Sequence, residues 1–248
     1  MKTNSLKAWV VGVRPYSLGN SVILVLVGSA MAWVDGRADL TTALLCLLFA
    51  VLMQCTANLV NDLCDFVKGA DQPDRLGPDR AFAKGFITLG AMKRGIALFA
   101  LASAAAGCGI LYRAATSGLL RYGGWELVAV GGACLLFAFL YTAGPWSLAY
   151  HGLGDAAVLL FFGVVPVGFT YYVQTGAWTA EVTLAAVACG LVIDTMLWIN
   201  NFRDREEDAR CGKRTLVVCL GHAVGRWGYL ALGLAAAACC LALAAWGH

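Results

Sequence analysis

Charge is the scarce ingredient of this sequence. Asp, Glu, Lys and Arg make up 13% of its 248 residues, about half of the roughly 25% found in soluble domains, so a charged, water-facing shell around a single core is excluded. The apolar residues lack the every-second-residue alternation of half-buried strands, which excludes a transmembrane β-barrel. None of the ten cysteines forms a Cys-x-x-Cys pair; the simplest thiolate metal or redox motif is absent, and the cysteines read as small apolar packing groups. A net charge of +3 without a contiguous basic run gives no footing for a nucleic-acid partner. No low-complexity segment or linker interrupts the chain, so residues 1–248 read as one domain.

What the sequence does have is apolar length. Residues of hydrophobic type make up 60% and the mean hydropathy is +0.73. They fall in blocks approaching the ~20 residues that cross ~30 Å of hydrocarbon as a helix. Seven spans are predicted, at 17–34, 40–60, 95–112, 125–141, 153–173, 182–199 and 228–246. The fold class is therefore all-α, a multi-span helical bundle in a lipid bilayer. The first span is read as structure, not as a cleavable signal, because its apolar stretch is long and Ser29-Ala30-Met31-Ala32 lies inside it. With this topology 15 of the 18 Lys and Arg residues fall on one side, and only Arg37, Arg113 and Arg121 on the other. The cation-rich side is expected to face the cytoplasm of the cell (inner) membrane, with the N-terminus inside.

Two long charged connections, 61–94 and 200–227, follow the second and sixth spans. An even number of crossings separates them, so both emerge on the same face. Around the start of the first stand Asn58, Asn61, Asp62 and Asp65; if the second helix continues through Asp65, these share an arc of about 100°, and Gly69 is placed to stop that helix. The second holds Asn201, Asp204 and Asp208, which fall within about 60° of one another on the sixth helix. Arg203 points off that acidic face on an unbroken helix.

Carboxylates crowded at a helix end repel one another, and a hard divalent cation removes the conflict. Magnesium prefers oxygen ligands and is commonly held by one or two carboxylates plus substrate phosphates. Two facing clusters suit a diphosphate bridged by magnesium. Lys68, Arg75, Arg80, Lys213 and Arg214 are placed to meet phosphate oxygens. Either cluster alone also fits ordinary solvated loop charge; their shared face and cationic followers argue for a site.

At these residues the chain resembles the UbiA superfamily of membrane prenyltransferases. The likeness lies in Asn61-Asp62-x-x-Asp65 with Lys68-Gly69-Ala70-Asp71, and in Arg75-x-Gly77-Pro78-x-Arg80. It continues through Tyr141-Thr142-x-Gly144-Pro145, Gly152-Leu153-Gly154-Asp155 and Tyr171-Tyr172-Val173-Gln174-Thr175-Gly176. Asn200-Asn201-x-Arg203-Asp204-x-x-x-Asp208 with Gly212-Lys213-Arg214-Thr215-Leu216 completes it, and Arg14-Pro15 before the first span also fits. Each motif is weak alone; the ordered set covers nearly the whole chain.

The resemblance implies that Asp62, Asp65, Asp204 and Asp208 are catalytic and coordinate Mg2+ through a polyprenyl diphosphate. Asn58, Asn61, Asp71, Asn201 and Arg203 would assist in binding, while Lys68, Arg75, Arg80, Lys213 and Arg214 would hold the departing pyrophosphate. The likeness is to the branch that prenylates 1,4-dihydroxy-2-naphthoate in menaquinone biosynthesis. Where the hydroxybenzoate branch carries Lys-Arg before Tyr-Thr, this chain has Phe139-Leu140. Family members usually have nine membrane helices against the seven predicted here, so the last two helices are expected to be missing. Transfer to another aromatic acceptor, an inactive short member and a membrane transporter are the competing readings. A transporter predicts charge near the bilayer midplane, whereas these clusters sit at helix ends. The Asp-Gly-x-x-Ala-Arg signature of CDP-alcohol phosphotransferases is absent.

Other polar residues carry two readings each. Asp194, inside the sixth span, orients substrate or takes a proton, or is a buried structural group. Tyr141, Tyr171, Tyr172 and Trp198 line an aromatic pocket or anchor the interface. His151, His222 and His248 read as surface residues, and Gly107, Gly109, Gly131, Gly132 and Gly190 as close-packing positions.

Overall fold

A computed structural model describes residues 1–71 and 77–246. Among the described residues the regular structure is helical, without strands. A short helix α1 (Leu6–Val13) precedes α2 (Pro15–Val34), α3 (Leu40–Val67), α4 (Leu89–Thr116) and α5 (Trp125–Leu140). The next crossing has three parts: α6 (Gly154–Leu159), a π-helical stretch Leu160–Phe169, and α7 (Thr170–Thr175). Then follow α8 (Ala180–Arg210) and α9 (Leu216–Ala245). Six crossings, at Pro15–Val34, Leu40–Val67, Leu89–Thr116, Gly154–Thr175, Ala180–Arg210 and Leu216–Ala245, are long and apolar enough to span a membrane. Trp125–Leu140 is apolar but only 16 residues, about 24 Å at 1.5 Å per residue. Each of the seven predicted spans falls on one of these helices, and the protein is a multi-pass membrane protein.

Helix starts follow a simple local code. Ser5, Asp39, Thr88, Thr179 and Thr215 each accept the backbone N–H three residues on, at Ala8, Thr42, Ala91, Val182 and Val218; each such cap contributes about 1 kcal/mol. At the end of α3, Gly69 adopts φ +81°. The Ala70 N–H then reaches the Asp65 carbonyl at 2.8 Å and the Gly69 N–H the Phe66 carbonyl at 3.0 Å, a Schellman closure that needs a left-handed residue.

Two predicted connections are shorter than expected. Residues 61–67 continue α3, and most of 200–227 is helical, leaving only a turn at Cys211–Thr215 between α8 and α9. Hydropathy stops where the hydrocarbon stops; the i→i−4 hydrogen bonds do not. Both acidic motifs consequently ride on rigid helix extensions. The 153–173 span, expected as a plain helix, is broken instead: Pro166 lacks a backbone N–H, and Phe162 sits at φ −119°, ψ 18°.

Small residues let these crossings approach. A β-carbon on Gly163 would stand 2.7 Å from the Ala186 carbonyl oxygen and from the Gly190 Cα, and one on Gly28 2.5 Å from the Val167 oxygen. The packing expected of Gly190, Gly107 and Gly109 is present, whereas Gly131 and Gly132 face open space. Trp198 pins α9 to α8, donating from Nε1 to the Gly225 carbonyl at 2.7 Å and lying over Gly228.

Candidate active site

At the cation-rich end of the bundle, α2, α3, α5, α6 and α8 enclose a cavity of about 260 Å³. Asn58, Asn61, Asp65 and Asp71 from the first motif line it together with Asn201, Arg203, Asp204 and Asp208 from the second. Arg80 and Lys213 line it too. Two motifs about 140 residues apart in sequence thus face one space, and Lys213 stands between them: its Nζ is 3.8 Å from Asp65 Oδ2 and 3.4 Å from Asp208 Oδ1. Burial by itself would lower the Lys213 pKa, but those two carboxylates outweigh it and raise it.

The first motif is held by a network. Asn61 donates to Asp65 Oδ2 at 2.8 Å, and the Tyr150 hydroxyl donates to Asp65 Oδ1 at 2.9 Å. Asn58 donates to the Val13 carbonyl and to Ser17 Oγ, both at 2.9 Å, while accepting from Gln54. Asp71 pairs with Arg80 at 3.0 Å. In the second motif α8 is unbroken through Arg210, yet the Arg203 side chain turns back: its Nε and Nη2 reach the two Asp204 oxygens at 2.6 and 2.7 Å. Helical phase alone pointed Arg203 elsewhere; the length of the arginine side chain is the difference.

Three predicted site residues stand off the cavity wall. Asp62 is fully buried, accepts the Phe82 N–H at 3.2 Å, and is acted on by the charges of Arg14 and Arg80. Lys68 donates to the Gly144 carbonyl at 2.9 Å and to Ser147 Oγ at 2.6 Å, stacks its ammonium 4.0 Å over the Tyr150 ring, and has its pKa lowered by burial. It braces the 142–152 connection. Arg214 is exposed, with its backbone N–H on the Tyr150 carbonyl at 3.3 Å. Arg75 lies outside the described residues.

Arg14, given no individual role by the sequence, lines the cavity. It is a non-glycine residue at φ +54°, a left-handed conformation that costs about 1–2 kcal/mol. That turn joins α1 to α2, with Pro15 at the first helical position, and aims the guanidinium inward. Nη1 donates to Asn61 Oδ1 at 3.1 Å, while Nη2 is buried without a hydrogen-bond partner among the described residues. Burial lowers its pKa to about 10, so it remains a cation at neutral pH. The signal in the sequence was the Arg14-Pro15 pair itself.

Asp208 Oδ2 is a second buried group without a partner among the described residues. A cationic donor and an anionic acceptor left unpartnered on residues that line one cavity suit a ligand that carries both signs, such as a diphosphate with a divalent cation. The donor set fits magnesium: carboxylate and amide oxygens, no thiolate or imidazole. Among the described residues no three His, Cys, Asp or Glu side chains converge as a ready-made metal centre, so phosphate oxygens would have to complete the coordination.

The remaining aromatic candidates separate. Tyr141 lines the cavity. Tyr171 and Tyr172 lie at the opposite end of the bundle, donating to Asp35 and to Glu126, and Trp198 is the α8–α9 pin. His151 Nδ1 meets the Ser147 carbonyl at 2.8 Å and His222 packs on Phe202; His248 lies outside the described residues. A second, apolar cavity of about 140 Å³ shares Gln54, Ala57, Phe137 and Phe162 with the first and extends between α2, α3, α5 and the π-helical stretch.

The chain is similar to known proteins over most of its length. The model of the UbiA prenyltransferase family matches residues 21–248. The 1,4-dihydroxy-2-naphthoate octaprenyltransferase of Escherichia coli is 39% identical over 237 residues, covering 96% of this chain and 76% of that protein. The enzyme of the same name from Mycobacterium tuberculosis is 38% identical over 232 residues, covering 92% of this chain and 75% of its own length. Among solved structures, one from a study of digeranylgeranylglyceryl phosphate synthase in membranes superposes with a TM-score of 0.61 at 19% identity, covering 92% of this chain and 73% of that one.

Proposed function

Because this chain belongs to the UbiA prenyltransferase family, we propose that it transfers a polyprenyl chain from a polyprenyl diphosphate to 1,4-dihydroxy-2-naphthoate. Demethylmenaquinone in its reduced, hydroquinone form (demethylmenaquinol), pyrophosphate and carbon dioxide would be the products. The observation that carries this reading is the single cavity lined by both acidic helix ends, with Lys213 between Asp65 and Asp208 and with Arg14 Nη2 and Asp208 Oδ2 unpartnered among the described residues.

Asp65, Asp204 and Asp208, with Asp71 beside them, would hold Mg2+ through the diphosphate. When bound, the magnesium supplies positive charge against the negative charge that develops on the leaving pyrophosphate. Arg14, Arg80, Arg203 and Lys213 bind the phosphate oxygens from the surrounding wall. Such fixed charges, already oriented before reaction, are the dominant electrostatic contribution at sites of this kind. Asn61 keeps the Asp65 carboxylate in position, Asn58 ties α3 to the start of α2, Asn201 lines the cavity beside Asp204, and Asp62 fixes the 77–82 segment through the Phe82 N–H. The apolar second cavity receives the isoprenoid chain, which accounts for a membrane enzyme. With 15 of 18 cationic residues on the active-site side, the site faces the cytoplasm of the inner membrane.

The test is direct. Membranes containing the protein, given labelled polyprenyl diphosphate and dihydroxynaphthoate, should form a prenylated naphthol and release pyrophosphate only with magnesium. Asp204→Ala and Asp208→Ala should insert normally but lose turnover. Full activity after chelation, or in both variants, would refute the metal and site assignments; failure to use any aromatic acceptor would refute the reaction.

A further inference from the structure

The inner half of the cavity differs from the diphosphate half. Phe137, Val158, Phe162, Ile193 and Leu197 make its wall apolar, with Phe137 stacked on Phe161 at 4.1 Å between ring centroids. One carboxylate interrupts that wall. Asp155, at the start of α6, lines the cavity and is only 6% exposed. Neither of its oxygens accepts a hydrogen bond from another residue among the described ones; its own backbone N–H is the one donor acting on it. The Tyr141 hydroxyl stands 3.5 Å from where a β-carbon on the neighbouring Gly154 would be and is within electrostatic range of Asp155, as is Asp194 on α8.

A buried carboxylate with no donor but its own backbone N–H is costly to keep, and two of the phosphate-binding cations are engaged elsewhere: Lys213 with Asp65 and Asp208, and Arg203 with Asp204. An apolar, partly aromatic pocket end with one unpartnered carboxylate among its described lining residues matches an aromatic ring bearing a hydroxyl. We propose that Asp155 receives the ring hydroxyl of the acceptor and takes its proton as the new carbon–carbon bond forms. This rests on the prenyl transfer proposed above. The ring carbon bonds to the allylic carbon as the carbon–oxygen bond to pyrophosphate breaks. The hydroxyl oxygen becomes a carbonyl and its proton passes to Asp155. The carbon–carbon bond to the carboxylate then breaks, carbon dioxide leaves, its electron pair restores the aromatic ring, and Asp155 returns the proton to the oxygen. Tyr141 positions the hydroxyl.

The experiment compares wild type, Asp155→Asn and Asp155→Glu with the dihydroxynaphthoate and with its methyl ether at the hydroxyl next to the carboxylate. Wild type should favour the free hydroxyl by at least about 100-fold in kcat/KM. The Asn variant should lose about 10²- to 10⁴-fold in kcat, the usual contribution of a positioned proton acceptor, with half-saturation by polyprenyl diphosphate and by magnesium unchanged. It should also lose most of the preference for the free hydroxyl, and the Glu variant should recover at least tenfold over Asn. Equal wild-type turnover of the methyl ether overturns the proposal even if the Asn variant fails to fold. So does an Asn variant with wild-type kcat, or one that weakens prenyl diphosphate binding as much as turnover. A wild type that prenylates while the Asn variant is indistinguishable removes only this inference; a wild type that prenylates nothing removes the underlying reaction as well.

Discussion

Lys213→Met gives the most direct measure of how the two acidic helix ends depend on each other. The side chain is 14% exposed, and its ammonium sits 3.4 Å from one carboxylate and 3.8 Å from the other. At an effective dielectric of about 20, each attraction is roughly 4–5 kcal/mol before desolvation is counted; removing one partner of such a buried arrangement typically costs about 3–5 kcal/mol net. Two consequences follow, of opposite sign. Without Lys213 the leaving pyrophosphate loses a fixed cation, and turnover should fall about 10²- to 10³-fold. The site also becomes one charge more negative, so magnesium should half-saturate at a lower concentration and raise the melting temperature more than it does in wild type. Lys213→Arg, which keeps the charge, should hold at least a tenth of wild-type turnover. The assays are pyrophosphate release against magnesium concentration and thermal melts with and without the ion. Turnover within threefold of wild type together with an unchanged magnesium curve would show that Lys213 does not tie the two motifs together.

Other substitutions separate roles that sequence alone groups together. Arg14→Ala should raise the half-saturating polyprenyl diphosphate concentration about 10- to 100-fold, equivalent to one lost charge-assisted contact of about 1.5–3 kcal/mol, and an unchanged value would remove Arg14 from the phosphate site. Asp62→Asn and Asp65→Asn should diverge. The Asp62 variant, still able to accept the Phe82 N–H, should lower turnover without moving the magnesium curve, whereas the Asp65 variant should move it to higher concentration; identical shifts would return Asp62 to the metal. Gly163→Leu places a side chain against the α8 backbone, 2.7 Å from the Ala186 oxygen at its β-carbon, and should destabilise by about 1–3 kcal/mol, read as a lower melting temperature and reduced detergent resistance. Gly131→Ala, facing open space, should leave both unchanged.

Much of this protein is determined by sequence alone. Where hydrocarbon replaces water, an unpaired backbone group is expensive, so the scarcity of charge and the length of the apolar blocks are enough to specify a multi-span helical bundle. Helical phase likewise put Asn61, Asp65, Asn201, Asp204 and Asp208 on inward faces, and Gly69 ends α3 because a left-handed residue is needed there. Tertiary structure decided what local periodicity cannot carry. It sets Lys213 between carboxylates from two distant helices, turns Arg14 inward through a positive φ, and bends the Arg203 side chain back to Asp204. It moves Asp62 and Lys68 off the cavity wall into supporting contacts, and it leaves both Asp155 oxygens without a partner among the described residues, next to a largely apolar cavity wall. The physical reason is range. Hydropathy and helical phase depend on neighbours within a few residues, whereas a shared counterion or an unpartnered buried oxygen depends on elements that meet only once the helices have packed.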